Sequence, residues 1–401
     1  MFAAALNRIE TSASAVMTQR ARAMRAAGRD VLALSMGQPD FDTPEHVKDA
    51  AKAAMDRGET GYPPLAGTDP LKRAIQSKFK RENGLDYALD QILVANGGKQ
   101  IIFNAFAATI NTGDEVIVPA PYWVSYPDIV KYVGGTPVFV ATELQNGFRL
   151  TPSALEAAIT ENTRWLVLNS PNNPSGGCYR TEDLIALAAV LARHPQIRVL
   201  SDDIYEHLVF DGKFVTIAQV APELDDRILT MNGVSKAYAM TGWRIGYAGG
   251  NADLIKAMAK MQSQVTGGAC SISQAAAAEA LRGDQTVVLE RRASFKARRD
   301  HVVARLNQIA GLRCGLPDGA FYVFPDCRQW LGQRTAAGVL LTNDSDVAEC
   351  LLEEQEVAVV HGAAYGLSPH FRISYATDRA TLDTALDRIN AFAEGLSDIT
   401  A

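Results

Sequence analysis

Short apolar runs alternate with helix-length amphipathic stretches along most of this chain. The runs stand at 31–34, 92–95, 115–118, 136–141, 165–168, 197–200, 228–231 and 245–248. Helical spacing fills 14–27, 44–57, 69–83, 101–110, 152–159, 182–193 and 250–264. Strands and helices taking turns in this way predict an α/β domain, with a mostly parallel central sheet flanked by helices. Gly28 stops the first helix; Pro44 and then Glu45 open the next. A tract over 273–309 reads as one long helix, and its run RRASFKARRD as a solvated face. Beyond about 311 the pattern shifts. Strands at 320–324, 357–360 and 371–375 mix with helices at 345–355 and 378–394, a smaller α+β module expected to pack with residues 14–40.

A chain of 401 residues exceeds one ordinary core, which agrees with two domains. The net charge of −6 argues against nucleic acid as a general partner, though not against a local basic pocket. The five cysteines are far apart, without C-x-x-C spacing, and the six histidines are scattered. Neither a metal centre nor a disulfide framework is expected, and a reduced cytoplasmic setting fits. MFAAALNRIE lacks the form of a signal peptide, and no stretch approaches the ~18 apolar residues of a membrane span.

Candidate chemistry gathers where apolar runs end. NGVSKAYAMTGWRIGYAGG carries Lys236 and, eight positions on, Arg244, between two apolar runs. A lysine between buried strands is poorly hydrated, so its pKa falls and its amine becomes a nucleophile able to form Schiff bases. Arg244 supplies a positive fork suited to phosphate. Gly97-Gly98-Lys99 follows a strand and precedes a helix, which presents free N–H groups to an anion or simply makes a tight turn. In PAPYWVSYP, read as one loop, Trp123 or Tyr122 can stack on a flat ring or form an aromatic corner of the core. SDDIYEHLVF ends a strand with acids, and a short helical turn sets Asp202 and Tyr205 on one side. Asn173 lies in the turn cluster NSPNNPSGG, Gly37 in SMGQPDFDTP and Tyr62 in the rigid GYPPLAG. Arg372, inside the strand pattern FRISYA, either faces an anion or sits in a structural salt bridge.

Taken together these signals specify a pocket for pyridoxal phosphate (PLP). Lys236 holds the aldehyde, Asp202 keeps the pyridine nitrogen protonated, Tyr205 and Asn173 reach the ring oxygen, and Trp123 stacks on the ring. SPNNPSG, SDDIYE and SKAYAMTGWRIGY, with GQPDFDTP, GGKQ and PYWVSYP, resemble the class I aminotransferases of PLP fold type I, bacterial aspartate aminotransferases above all. The resemblance spans about 30–395, with the motifs in the family's order.

The resemblance implies a large cofactor domain with a mostly parallel sheet at 46–295. It also implies an N-terminal arm at 1–13 and a smaller α+β domain built from 14–45 and 296–401. Lys236 becomes the Schiff-base lysine and proton shuttle, with Gly98, Lys99 and Arg244 in or near the phosphate cradle. Arg372 clamps the substrate α-carboxylate beside Gly37 and Asn173, and Lys99 is associated with a distal carboxylate. Tyr62 reaches the neighbouring subunit's phosphate, which implies a homodimer with shared sites. The implied reaction is ping-pong transfer of an amino group from an L-amino acid, aspartate first, to a 2-oxo acid such as 2-oxoglutarate. One departure bears on the substrate. Many relatives carry a lysine where Glu10 stands, in a segment over the substrate side chain; this charge reversal counts against a preference for aspartate or glutamate and leaves aromatic, neutral or basic side chains and prephenate open. A β-lyase or decarboxylase on the same fold needs the same lysine, acid and arginine. A regulator's binding half lacks room here for a DNA-binding domain.

Overall fold

The computed structural model describes residues 2–398. The first strand, β1 (Leu32–Ala33), is short. Seven strands follow that form one sheet: β2 (Ile92–Ala95), β3 (Glu115–Ala120), β4 (Thr136–Ala141), β5 (Thr163–Asn169), β6 (Arg198–Asp202), β7 (Ile228–Gly233) and β8 (Gly246–Gly249). Their order is β2-β8-β7-β6-β5-β3-β4, parallel throughout except for β8, which runs antiparallel to both neighbours. Both faces are buried, which is why β2 (ILVA) and the middle of β5 (Trp165–Leu168) read as unbroken apolar runs rather than alternating ones. Val116, Val118, Trp165, Val167 and Leu200 pack on one face, and Ile117, Leu166, Leu168 and Val199 on the other. The edge strand β4 is the more exposed one, and it tolerates Pro137 because one side needs no ladder bond.

The last part of the chain adds β9 (Tyr322–Val323), β10 (Val357–Ala358), β11 (Val360–His361) and β12 (Phe371–Ser374). One apolar cluster joins Met17, Ala21, Val31 and Leu34 to Phe295, Leu351, Ile373 and Leu386, so residues from both chain ends share a core. β1 pairs in parallel with β10, which ties those ends by hydrogen bonds as well.

Several elements differ from the sequence reading. The stretch 357–360 is two strands in two sheets: β10 joins β1, and β11 joins β12. The aromatic loop holds a helix, Ser125–Tyr132; Pro127 lies in its first turn, where a missing N–H leaves no gap. The long tract is two helices, Ser271–Arg282 and Thr286–Leu306. Gln285 fills the break, bonding Ala280 O at 2.9 Å and Gly283 O at 2.8 Å while accepting from Tyr238 Oη at 2.7 Å. RRASFKARRD is solvated on one side only, at Arg292, Ala293, Ala297 and Asp300. Arg291, Phe295 and Arg299, four apart, are all buried. The Arg291 and Arg298 guanidinium carbons stand 5.1 and 5.3 Å from the Phe41 ring, and Arg299 donates to Pro317 O at 2.9 Å. The helix read from 101 begins at Gly98, which puts Gly98 and Lys99 in its first turn. The N-terminal segment is held down: Ala4–Arg8 forms a 3-10 turn, and Arg8 donates to Tyr132 O at 3.1 Å. Among the described residues no helix is long and apolar enough to cross a membrane.

Candidate active site

β2, β3, β5, β6 and β7 all point their C-terminal ends at one edge of the sheet, the edge where open α/β sheets form crevices. Because β8 runs the other way, Arg244, which precedes it, arrives at that same edge. The cavity there measures about 680 Å³. Gly37, Gly98, Lys99, Trp123, Asn173, Asp202, Tyr205, Lys236, Arg244 and Arg372 all line it, so ten of the eleven singled-out positions converge. The eleventh, Tyr62, does not: it is 106% exposed and borders a separate surface depression with Arg57 and Arg282.

Five basic side chains (Arg22, Lys99, Lys236, Arg244, Arg372) face a single carboxylate, Asp202, in this cavity. A chain of net charge −6 thus concentrates positive charge where anions of a ligand fit. Lys236 donates to Gly37 O at 2.7 Å, and its ammonium lies 5.7 Å from the Tyr205 ring. Burial, then the charges of Arg372 and Arg244, lowers its pKa to about 8, against the pull of Asp202. A fair share of neutral amine at neutral pH follows, as a nucleophile needs.

Asp202 closes β6 and is 4% exposed. Its Oδ2 accepts from Tyr126 Oη at 2.5 Å and its Oδ1 from the Ile204 amide at 3.3 Å. Burial raises its pKa to about 6, with those two bonds and Lys236 opposing. Such a carboxyl, short of a cationic partner, suits a protonated ring nitrogen. The neighbouring Asp203 turns away, accepting from Ser201 Oγ at 2.7 Å.

The other end is built for phosphate. The helix Gly98–Thr109 starts at the cavity, and Arg244 adopts left-handed backbone (φ 55°), one of few non-glycine residues to do so. Its guanidinium donates to Thr241 O at 2.7 Å and leans over Gly97, where any side chain would collide with it. Gly97 (φ 88°) is therefore required twice, for its backbone and for its missing Cβ. Lys99 Nζ stands 5.0 Å over the Trp123 ring; burial, then Arg244, lowers its pKa.

Arg372 is 2% exposed and forms no structural salt bridge among the described residues. Nη1 donates to Asn173 Oδ1 at 3.0 Å and Nη2 to Ser35 O at 2.5 Å, while Nε has no partner. Its guanidinium carbon lies 4.6 Å from the Tyr322 ring and 5.2 Å from that of Tyr365. A buried cation with only neutral acceptors leaves charge to offer a carboxylate.

Sequence reasoning missed Tyr126, Tyr322 and Arg22. Tyr126 sat in the quoted aromatic motif, and a helical phase there would have turned it toward the strand ends. Tyr322 bonds Tyr205 Oη at 2.8 Å and blocks Gly37, where an added Cβ would stand 2.6 Å from its hydroxyl. Nothing local marked it out. Glu10 lies outside the cavity, exposed, near enough to Asp128 to raise that carboxyl after burial and against Lys131. Elsewhere Glu82, Glu206 and His207 come within 4.8 Å, but the Lys78 ammonium already pairs with Glu206.

Residues 29–389 match the family model "Aminotransferase class I and II". The chain is 56% identical over 393 residues to the aspartate/prephenate aminotransferase of Cereibacter sphaeroides, covering 98% of each. It is 57% identical over 379 residues to an aspartate aminotransferase of Rhizobium meliloti, covering 94% of this chain and 92% of that one. The crystal structure of the Rhizobium meliloti enzyme superposes with a TM-score of 0.96 at 55% identity over 99% of this chain and all (100%) of that one. Aspartate aminotransferase from Thermus thermophilus with maleate gives a TM-score of 0.92 at 42% identity over 98% of this chain and 99% of that one. An amine at one wall, a lone buried carboxyl beside it, and a glycine–arginine cradle at a helix start fit the aldehyde, ring nitrogen and phosphate of PLP. The chain belongs to the class I and II aminotransferases, as a PLP-dependent enzyme of fold type I.

Proposed function

We propose that this transaminase takes the amino group of L-aspartate, and of glutamate, and gives it to a 2-oxo acid such as 2-oxoglutarate. The observation that carries this reading is the charge of the cavity, five basic side chains against one carboxylate. After a phosphate and an α-carboxylate are matched, positive charge is left for a second acidic group. The relatives' names, aspartate and aspartate/prephenate aminotransferase, support it, as does a related structure with maleate, a dicarboxylate. The paired name also favours prephenate as an alternative acceptor, and Glu10 is not among the residues that line the cavity.

When bound, PLP supplies an aldehyde for the amino group and a ring that accepts the electron pair left at Cα. In this reading Arg372, steadied by Asn173 and Ser35, orients the substrate by its α-carboxylate. Lys236 would serve as the base that takes the Cα proton and carries it past the amino nitrogen to the carbon supplied by the cofactor's aldehyde. Asp202, held by Tyr126, keeps the ring nitrogen protonated. Tyr205 and Asn173 serve the ring oxygen, Trp123 a ring face, and Gly98, Lys99 and Arg244 the phosphate. We assign residues 46–295 to a cofactor domain and 14–45 with 296–398 to a smaller one, in keeping with the apolar cluster that unites both chain ends; 399–401 lie outside the described residues. Tyr62, free of its own site, serves the partner's site in a cytoplasmic homodimer.

The test is a half-reaction panel. Holoenzyme is mixed with one amino acid at a time, without oxo acid, and its cofactor absorbance is followed. Aspartate and glutamate change it fastest, and Lys236→Ala completes no catalytic cycle with any of them. Full turnover by that variant, or ammonia release without an oxo acid, rejects the reading.

A further inference from the structure

The first helix, Ala13–Ala26, is keyed to Arg372 through two hydroxyls one turn apart. Ser14 Oγ lies 3.3 Å from Tyr365 Oη, and the Tyr365 ring packs on the Arg372 guanidinium. Thr18 Oγ1 lies 3.3 Å from Ser35 Oγ, and Ser35 O accepts from Arg372. Residues 14, 18 and 22 fall on one face of a helix, so the next position in that row is Arg22. It lines the cavity with Gln19 and Ala15. Its base stands about 6 Å beyond Thr18 along the axis, and helical side chains lean back over the preceding turn. That lean carries the guanidinium toward the substrate space outside Arg372.

Arg22 also differs from its neighbours in sequence. Arg8 donates to Tyr132 O, Arg20 to Glu353, Arg25 to Val31 O, and Arg29 to Glu353 and Glu356. Among the described residues Arg22 has no such partner, so its guanidinium is not drawn away from the cavity it lines. The other cation left for substrate, Lys99, stands beside Gly98 in the first turn of the helix that starts at the phosphate cradle, its ammonium 5.0 Å over the Trp123 ring. Arg22 belongs to the Arg372 end.

We propose that Arg22 is a specificity-determining residue: an outer anion site that takes the second carboxylate of a longer acidic substrate, such as glutamate or 2-oxoglutarate. The proposal rests on the transaminase reading for its substrates, but not for its binding chemistry. A bidentate guanidinium–carboxylate pair at the mouth discriminates by charge, and it comes from an element that carries no other cofactor or substrate contact proposed above.

Two measurements on Arg22→Gln and Arg22→Lys test it. In the first, kcat/KM for glutamate falls about 10- to 100-fold in Arg22→Gln, mostly through KM, while the loss for alanine is far smaller and Arg22→Lys recovers part of the glutamate rate. In the second, glutarate raises the melting temperature of wild-type holoenzyme more than butyrate does, and Arg22→Gln removes that difference. Equal losses for glutamate and alanine, or an unchanged glutarate effect, overturn the proposal and leave transamination standing. If wild type transfers no amino group at all, the functional reading fails, and the glutarate comparison still decides whether Arg22 binds a second carboxylate.

Discussion

Lys236 and Asp202 share one cavity and titrate in opposite directions from their ordinary values, down to about 8 and up to about 6. Burial is the main cause in both, since it penalises whichever form is charged. For Asp202 the folded state holds its proton to higher pH than the unfolded state does. Without cofactor, stability is therefore lost as pH rises from about 4 to about 6. Asp202→Asn removes that loss. Thermal unfolding of cofactor-free protein is expected to show the variant level with wild type near pH 4 and more stable by about 2–3 kcal/mol above pH 6. A gap that does not depend on pH counts against the assigned burial. For Lys236 the sign reverses: the folded state gives up its proton first, so stability is gained as pH rises past about 8 toward the ordinary lysine range. These two residues were legible in the sequence because each stands where an apolar run stops. Tyr126 and Tyr322 were not. Tyr126 reaches Asp202 across 76 positions and Tyr322 reaches Tyr205 across 117, and neither local pattern encodes a partner that distant.

Element boundaries were read well where glycine, proline or a change of period marks them, as at β2 and the helix Glu45–Asp56. They were misread where a polar side chain does the work of a turn. Gly283 caps the first helix and Gln285 braces the break by donating to Ala280 O and Gly283 O, but the Ala-rich spacing hid that single glycine. The arginines of Thr286–Leu306 looked solvated because charge suggests water, yet the four-residue spacing of Arg291, Phe295 and Arg299 was the stronger signal. The turn between β2 and its helix makes a sharper demand. Gly97→Ala forces left-handed strain and pushes a methyl group into Arg244. Strain of about 1–2 kcal/mol alone predicts roughly tenfold weaker cofactor retention. Equilibrium dialysis of PLP from this variant, with circular dichroism to confirm an intact fold, checks the expectation. Retention equal to wild type shows that the cradle does not depend on this turn.

At the scale of the molecule, the sheet order and the single reversed strand determine which residues meet. Five parallel ends deliver five separate loops to one edge, the loop after β7 also leading into β8, and the periodicity of the sequence foresaw the parallel strands. It gave no hint that β8 runs backward, since a strand's direction is written in its neighbours. Tyr62, exposed on a proline-stiffened loop, makes its prediction here. If it serves a second subunit, Lys236→Ala and Tyr62→Ala proteins, each impaired alone, recover activity when dissociated and remixed. Random pairing gives about a quarter of sites with both native residues. No recovery on mixing places Tyr62 outside any shared site.

The pairing of β1 with β10 also sets an order of assembly. β1 is among the first pieces of the chain to be synthesised and β10 among the last. At about 5–20 residues per second the early piece waits roughly 15–65 s for its partner. Throughout that interval Met17, Ala21, Val31 and Leu34 lack the C-terminal half of their core. Arg22 is made near the start and Arg372 near the finish, so in the proposed reading the substrate's two ends meet the oldest and youngest parts of each new molecule. A chain released early can complete its central sheet and still lack Arg372.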